Sequence, residues 1–391
     1  MKNILSLLVI IMATLLIPAC QKDKVDVTNY YYENDDLGIL NKYLNIPSDP
    51  FKYDRNSPSQ QSFHNSFALR DASLGTLGRA LFYDKNLSAD GKISCASCHL
   101  QSHAFSDTSA LSTGIHGRQT FRNSLALGSV RSFTTSYGGG AGNFFWDDRV
   151  FSLEQQCIET FNNPDEMGIT IKEVVQKTNS TEFYPILAKY TGTRGDIKHE
   201  MDSALVLNAL STFMNAMISS DSKFDQGLQL VGNVAPNLKF PNYTVQENLG
   251  KSLFIENCST CHGTNFDRSL RPRANNGLSP KASDPGRFMV TKNEADRNVF
   301  KVPVLRNIAL TAPYMHDGRF KTLEDVIDHY SEGIVYQDNL DFFLTKNVGG
   351  VKSAKQFNFS DEEKSALVAF LNTLTDEKLM HDPRFSDPFK Y

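Results

Sequence analysis

Two short patterns hold the residues best suited to chemistry. Cys95-Ala96-Ser97-Cys98-His99 and Cys258-Ser259-Thr260-Cys261-His262 both read C-x-x-C-H. This is the c-type haem attachment pattern. Two thiols on adjacent turns can add to the vinyl groups of one porphyrin, and the next residue supplies an imidazole ligand to iron. A disulfide oxidoreductase also uses C-x-x-C but has no need of the following His. Zinc can be held by two C-x-x-C pairs, but such pairs seldom carry a His after each. Two copies therefore point to two covalently bound haem c groups, with Cys95, Cys98, His99, Cys258, Cys261 and His262 as attachment and ligand residues.

The elements that must position these motifs are repeated as well. Leu77-Gly78-Arg79-Ala80-Leu81-Phe82 precedes the first motif and Leu249-Gly250-Lys251-Ser252-Leu253-Phe254 the second. Each reads as the end of an amphipathic helix feeding the site. The first copy carries an insert, Tyr83 to Ser94, with the turn Ser88-Ala89-Asp90-Gly91. Repeated units imply two cytochrome c-like domains. The expectation is an all-α fold with long loops around the haems: an N-terminal domain over 66–235 and a C-terminal domain over 236–391. The boundary falls in the Gly/Asn/Pro-containing stretch from Gly227 to Pro241. Apolar residues at helical intervals predict helices over Lys172–Tyr190, Asp202–Met217 and Asp361–Leu374. Ser360 and Glu363 form a capping box for the last of these.

The chain has 391 residues, 40% of them hydrophobic and 21% charged, which suits an ordinary globular protein. Its net charge of -4 offers no general basic surface for nucleic acid. Met1-Lys2, an apolar run from Ile4 to Pro18, and Ala19-Cys20 describe a secretory signal. Leu16-Ile17-Pro18-Ala19-Cys20 also resembles a bacterial lipobox, which implies acylation of Cys20 after removal of residues 1–19. Residues 20–65 then read as an acylated start and a polar tether. The expected location is the cell envelope, lipid-anchored and facing the periplasm. Among the other cysteines only Cys157 is left over, and it reads as a buried free thiol.

Longer motifs carry a family resemblance. Phe145-Trp146-Asp147-Asp148-Arg149, Ser152-Leu153-Glu154-Gln155-Gln156 and Asn163-Pro164-Asp165-Glu166-Met167 resemble the bacterial di-haem cytochrome c peroxidases and their MauG-like branch. Phe300 to Ile308 and Pro313-Tyr314-Met315-His316-Asp317-Gly318-Arg319-Phe320 fit the second domain of the same family. The likeness runs from Leu74 to Leu374. The family pattern has glycine where this chain has Asp148, and a glycine-rich insert, Gly138 to Gly142, precedes Trp146.

The resemblance implies roles. Trp146, the only tryptophan, would lie between the haems and relay electrons; on residue type alone it is a core aromatic. Glu166 matches the distal-pocket glutamate and Gln156 a neighbouring pocket amide. Asn163 to Glu166 also reads as a helix start with Pro and acids in the first turn. Tyr330 matches the place where peroxidases carry Met and the MauG-like branch carries Tyr as ligand. It shares a helix face with Leu323, Val326 and Ile327, while His329 lies about 100° round that helix. His116, in Gly114-Ile115-His116-Gly117, is the candidate distal ligand of the first haem, against an open site. His103 follows His99 by four residues and reads as a surface or supporting His. Asn123, with Thr311 and Pro313, matches a Ca²⁺ site at the domain interface. His64, His199 and His381 carry no motif.

Three functions compete on these residues. The first is reduction of hydrogen peroxide with electrons from a small cytochrome or cupredoxin. The second is MauG-like, peroxide-driven oxidation of a protein or organic substrate, toward which Tyr330 leans. The third is a non-catalytic di-haem electron carrier, against which Glu166 and Gln156 weigh.

Overall fold

The computed structural model describes residues 32–53, 71–130, 144–191, 200–233, 235–266, 269–278 and 284–391. The signal segment with Cys20, the Gly138–Gly142 insert, His64 and His199 lie outside them. The helices are α1 (Asn34–Tyr43), α2 (Asp71–Tyr83), α3 (Cys95–Cys98), α4 (Leu153–Asn162), α5 (Ile171–Asn179), α6 (Tyr184–Lys189) and α7 (Ser203–Asn215). They continue as α8 (Lys223–Leu230), α9 (Val245–Asn257), α10 (Ser259–His262), α11 (Phe288–Thr291), α12 (Leu323–Asp328), α13 (Asp361–Asn372) and α14 (Glu377–His381). The described strands form two antiparallel ribbons, β1 (Arg273–Ala274) with β2 (Phe300–Lys301) and β3 (Thr345–Val348) with β4 (Val351–Ala354), and short 3-10 and π turns fill many of the connections. The fold is thus mostly helical, with strand confined to these ribbons.

The repeat in sequence is a repeat in packing. α2 crosses α7 with Gly78 against the Ala209 carbonyl, and α9 crosses α13 with Gly250 against the Ala366 carbonyl. A Cβ at either glycine would collide with that backbone oxygen. The missing side chain is what lets each helix pair approach so closely. The residues that follow the glycines match too. Arg79 and Lys251 are both buried, and Phe82 and Phe254 both enter the core. Arg79 is held by the Ser386 carbonyl at 2.6 Å, Lys251 by the Pro236 carbonyl at 2.7 Å. Each unit therefore has its own core, one around Phe82, Leu210 and Phe213, the other around Phe254, Phe266 and Phe370.

Packing draws the boundaries differently from the sequence expectation. α1 and its flanks are not a free tether: Leu40, Leu44 and Tyr53 are buried in the first core. Gly227 lies inside α8, where a Cβ would meet the Phe240 ring, and Phe224 and Leu228 join the second core. The last residues return to the first unit. Leu379, Met380 and Phe385 join its core, and Tyr83 donates to the Phe385 carbonyl at 2.5 Å. The expected helix over Lys172–Tyr190 is two helices. Ser180 turns its hydroxyl onto the Gln176 carbonyl at 2.6 Å and caps α5, and Pro185 opens α6. The Ser360–Glu363 capping box is present on α13. No described helix is long and apolar enough to cross a membrane.

Candidate active site and electron path

Each C-x-x-C-H motif forms the wall of its own cavity. Cys95, Cys98 and His99 line the first, of about 620 Å³, and Cys258, Cys261 and His262 line the second, of about 220 Å³. No disulfide joins these cysteines, and the two pairs line separate cavities. Among the described residues no three His, Cys, Asp or Glu side chains converge as a metal site. A shared zinc centre therefore finds no support in the geometry.

Both imidazoles are oriented in the same way. His99 Nδ1 lies 2.9 Å from the Phe105 carbonyl, and His262 Nδ1 lies 3.1 Å from the Pro303 carbonyl. A carbonyl can only accept, so Nδ1 carries the proton in each ring. Nε2 is left as the lone-pair donor. This is the usual second contact of a metal-binding His. Burial pushes both pKa values down, to about 4 for His262, so each ring stays neutral and keeps that lone pair. In each cavity apolar walls, two thiols and one oriented imidazole fit a haem c.

The first cavity also holds the acid–base residues. On α4, Gln156 Nε2 donates to Thr160 Oγ1 at 2.9 Å, one helical turn away. Thr160 in turn hydrogen-bonds Glu166, and Asn163 Nδ2 donates to Glu166 Oε1 at 2.8 Å. Gln156, Thr160, Asn163 and Glu166 all line the cavity. Burial raises the Glu166 pKa above the ordinary carboxyl range, against the lowering effect of its hydrogen bonds. Glu166 does not start a helix. It sits in a turn, and α5 begins five residues later behind its own Thr170–Glu173 capping box. The helix-start reading of Asn163 to Glu166 is therefore corrected: the turn aims the carboxyl inward.

His116 is placed elsewhere. Its side chain is 60% exposed, 4.0 Å from Asp90, and it is not on the cavity wall. The loop that carries it buttresses Glu166 from behind. Ile115 N donates to the Glu166 carbonyl at 3.0 Å, and a Cβ at Gly114 would strike the Asp165 carbonyl. His103 is also off the wall and pairs with Ser102 Oγ at 2.9 Å. His381 is exposed at the end of α14. Cys157 is buried and free, as expected, and lines the first cavity.

Trp146 belongs to both cavities, together with Asn123. Its Nε1 donates to the Asn123 carbonyl at 2.8 Å, and its own carbonyl accepts from Lys301 N at 2.7 Å. The indole is thus fixed from the first unit by its ring and from the second by its backbone. Asp148 has φ +61, a conformation natural to glycine, and is buried against Arg273 Nη1 at 2.8 Å. That ion pair ties the Trp146 segment to β1.

In the second cavity Tyr330 lines the wall and His329 does not. α12 ends at Asp328, and a wider π turn carries His329–Gly333. Such turns occur often at functional sites. His329 Nε2 lies 3.1 Å from the carbonyl of Asn276, a residue of the cavity wall. Burial pushes the Tyr330 phenol up to about 12. Met315, with φ +74, lines the same cavity, its sulfur 3.7 Å from Asn276 Nδ2. Sequence reasoning assigned it no role, although it stands in the Pro313–Phe320 motif. Thr311 and Pro313 share this wall with Asn123. Asn123 Nδ2 donates to the Ser109 and Ala110 carbonyls at 3.3 and 3.1 Å.

Fold and site define a mostly helical protein with two cytochrome c-like sites joined by one tryptophan. The di-haem cytochrome c peroxidase model matches residues 72–231, and the cytochrome c model matches residues 248–375. Cytochrome c551 peroxidase of Nitrosomonas europaea is 30% identical over 316 residues, 79% of this chain and 81% of the relative. Methylamine utilization protein MauG of Methylorubrum extorquens is 30% identical over 310 residues, 77% and 78% of the two chains. A crystal structure of a MauG-like protein associated with microbial copper homeostasis superposes with a TM-score of 0.64 at 32% identity, over 81% of this chain and 93% of that one. The chain belongs to the di-haem cytochrome c peroxidase and MauG family, a family of oxidoreductases.

Proposed function

We propose that the chain reduces hydrogen peroxide at the first site, with electrons that enter at the second and cross by way of Trp146. The observation that carries this reading is Glu166, a buried carboxyl held by Asn163 and Thr160 in the cavity of Cys95, Cys98 and His99. Bound haem would supply the one-electron redox chemistry at each site. The balance is one peroxide, two electrons and two protons giving two waters. Glu166 takes the first proton from the near oxygen of peroxide and returns it to the departing one. Its raised pKa suits both halves of that exchange. Asn163 and Thr160 fix the carboxyl, and Gln156 holds Thr160. His116 is turned to solvent and lies off the cavity wall, so a haem held there would meet no imidazole from this loop, and peroxide would have access beside Glu166. Attachment of each haem to its cysteine pair is part of the proposal. The test is Glu166→Gln, which should slow the peroxide reaction while leaving haem content unchanged.

The second reading is MauG-like oxidation of a protein or organic substrate. Tyr330 on the wall of the second cavity favours it, because the MauG-like branch places Tyr where peroxidases place Met. Relatives of both names match this chain. A fixed yield of oxidised substrate per peroxide, with no external donor, would select it. The carrier reading gives no use for a buried acid in an open cavity.

Two further assignments complete the proposal. Ca²⁺ would bind the neutral oxygens of Asn123, Thr311 and Pro313. A site without carboxylates binds weakly, so chelation should depress activity and Ca²⁺ should restore it. The chain would be held at the envelope through acylated Cys20, and Cys20→Ser should release it into the soluble fraction.

A further inference from the structure

The β3–β4 ribbon is exposed along nearly its whole length on both faces. Two strands of four residues are at best marginally stable alone in water. Its Ala354 packs on the small core of Ile334, Leu340 and Leu344, while the valines at its tip stand in solvent. Val348 and Val351 pair across the tip and are 75% and 70% exposed. At the base, Phe342 and Phe343 are 63% and 39% exposed. The Arg271 guanidinium lies over both rings, at 5.2 and 5.6 Å, and its neighbour Leu270 is 57% exposed. Scattered exposed apolar residues need no explanation, but Leu270, Phe342 and Phe343 gather about one guanidinium, the two ring centroids 3.9 Å apart, and such a cluster marks an interaction surface.

Along the ribbon and its flanks as far as Ser360 the charge is of one sign. Residues 342–360 contain Lys346, Lys352 and Lys355 and no acid, on a chain of net charge -4. The acid at the base, Asp341, is buried and paired with Arg271 at 2.5 Å. The patch also sits next to the second site. Leu270 N and Arg271 N donate to the Cys261 carbonyl at 2.8 and 3.2 Å. Leu344, Phe357 and Phe359, at the root of the ribbon, line the cavity of Cys258, Cys261 and Tyr330.

We propose that this patch and its basic rim are the docking surface for a small acidic redox protein that feeds electrons to the second site. The proposal rests on the peroxidase reading above. Each encounter moves one electron. The metal of the donor is oxidised by one, the acceptor in the second site is reduced by one, and no bond or proton moves. Two encounters match one peroxide. The lysines steer an acidic partner and the aromatic centre excludes water at the contact. A second copy of this chain is the poorer occupant. A symmetric contact would set one lysine-rich ribbon against another.

The test uses full-length holoprotein and an acidic cupredoxin of the plastocyanin class as probe. Two measurements are made without peroxide: binding of the oxidised probe by titration, and stopped-flow reduction of the second site by the reduced probe at several ionic strengths. Wild type should react faster at low salt. Lys346→Glu with Lys352→Glu should lower rate and affinity about tenfold at low salt and flatten the salt dependence. Phe342→Ser should weaken binding several-fold and leave the salt dependence intact. An uncharged small-molecule donor should reduce all variants equally. Equal rates and salt dependence in wild type and the double variant would overturn the proposal. So would a wild-type dimer in sedimentation that the double variant dissolves. Since no step uses peroxide, a failed peroxidase reading would leave these outcomes readable.

Discussion

Glu166→Gln removes the carboxyl that Asn163 and Thr160 hold in the first cavity and little else; the other carboxylate on that wall, Asp147, is paired with Arg122 and Arg149. Gln keeps the length and an oxygen for Asn163 Nδ2, now 2.8 Å from Glu166 Oε1. General acid–base help is worth roughly 10²–10⁴ in rate, or about 2.7–5.5 kcal/mol of barrier at 1.36 kcal/mol per tenfold. Stopped-flow mixing of the fully reduced holoprotein with peroxide reads this loss directly. The pH profile adds a second signature. Burial raises the Glu166 pKa, so the wild-type rate should rise with pH through an inflection above the ordinary Glu value of about 4.3, and the variant should show none. The sign for stability is opposite to that of a structural role. With the folded pKa raised, the fold holds the proton more tightly than the unfolded chain does. That stabilisation is complete below the ordinary Glu pKa and is lost as pH rises through the folded value. At neutral pH the buried carboxylate is a cost, so the Gln variant should melt at the same or a higher temperature. A variant that reacts within about twofold of wild type and keeps the inflection would refute the assignment of this acid.

Tyr330→Phe should turn the low-spin optical and EPR signal of the second site high-spin; an unchanged signal would make Met315 the ligand, and Met315→Leu would then produce the change. Trp146→Phe should preserve both absorption spectra yet slow reoxidation of the second site after peroxide addition, and equal rates would remove the indole from the electron path. Gly250→Ala forces a Cβ onto the Ala366 carbonyl and should cost about 1–3 kcal/mol by overpacking, read as a lower denaturant midpoint; Gly78→Ala should behave alike, and a neutral result at both would contradict the close crossings.

The C-x-x-C-H motifs and the helix that precedes each were legible because each is a local string that occurs in two copies. Gly78 and Gly250 mark helix crossings, and no sequence pattern other than the repeat announces them. Residues joined by long-range contacts were harder to place. Thr160 is readable only as the i+4 neighbour of Gln156, once that amide is suspected of lining a pocket. Met315 stood in a recognised motif, but its approach to Asn276 depends on a backbone turn with positive φ. The π turn after Asp328 is invisible to a straight helical wheel; Tyr330, favoured over His329 as a ligand from the sequence, lies on the cavity wall. The sequence leaves His116 undecided between a ligand and an open site, and its loop's Gly114 turns out to permit contact with the backbone beneath Glu166. The return of the C-terminal segment to the first core rests on Phe385 and Ser386 meeting α2, a pairing of residues some three hundred positions apart.

Two haem sites in one chain should act as a unit on peroxide. An anaerobic optical titration of the fully reduced holoprotein with hydrogen peroxide tests it most directly. Each site gives one electron and peroxide takes two, so one equivalent should reoxidise both sites of a chain, with two haems counted per polypeptide. A single haem per chain, or two haems of which peroxide reoxidises neither, would contradict the account.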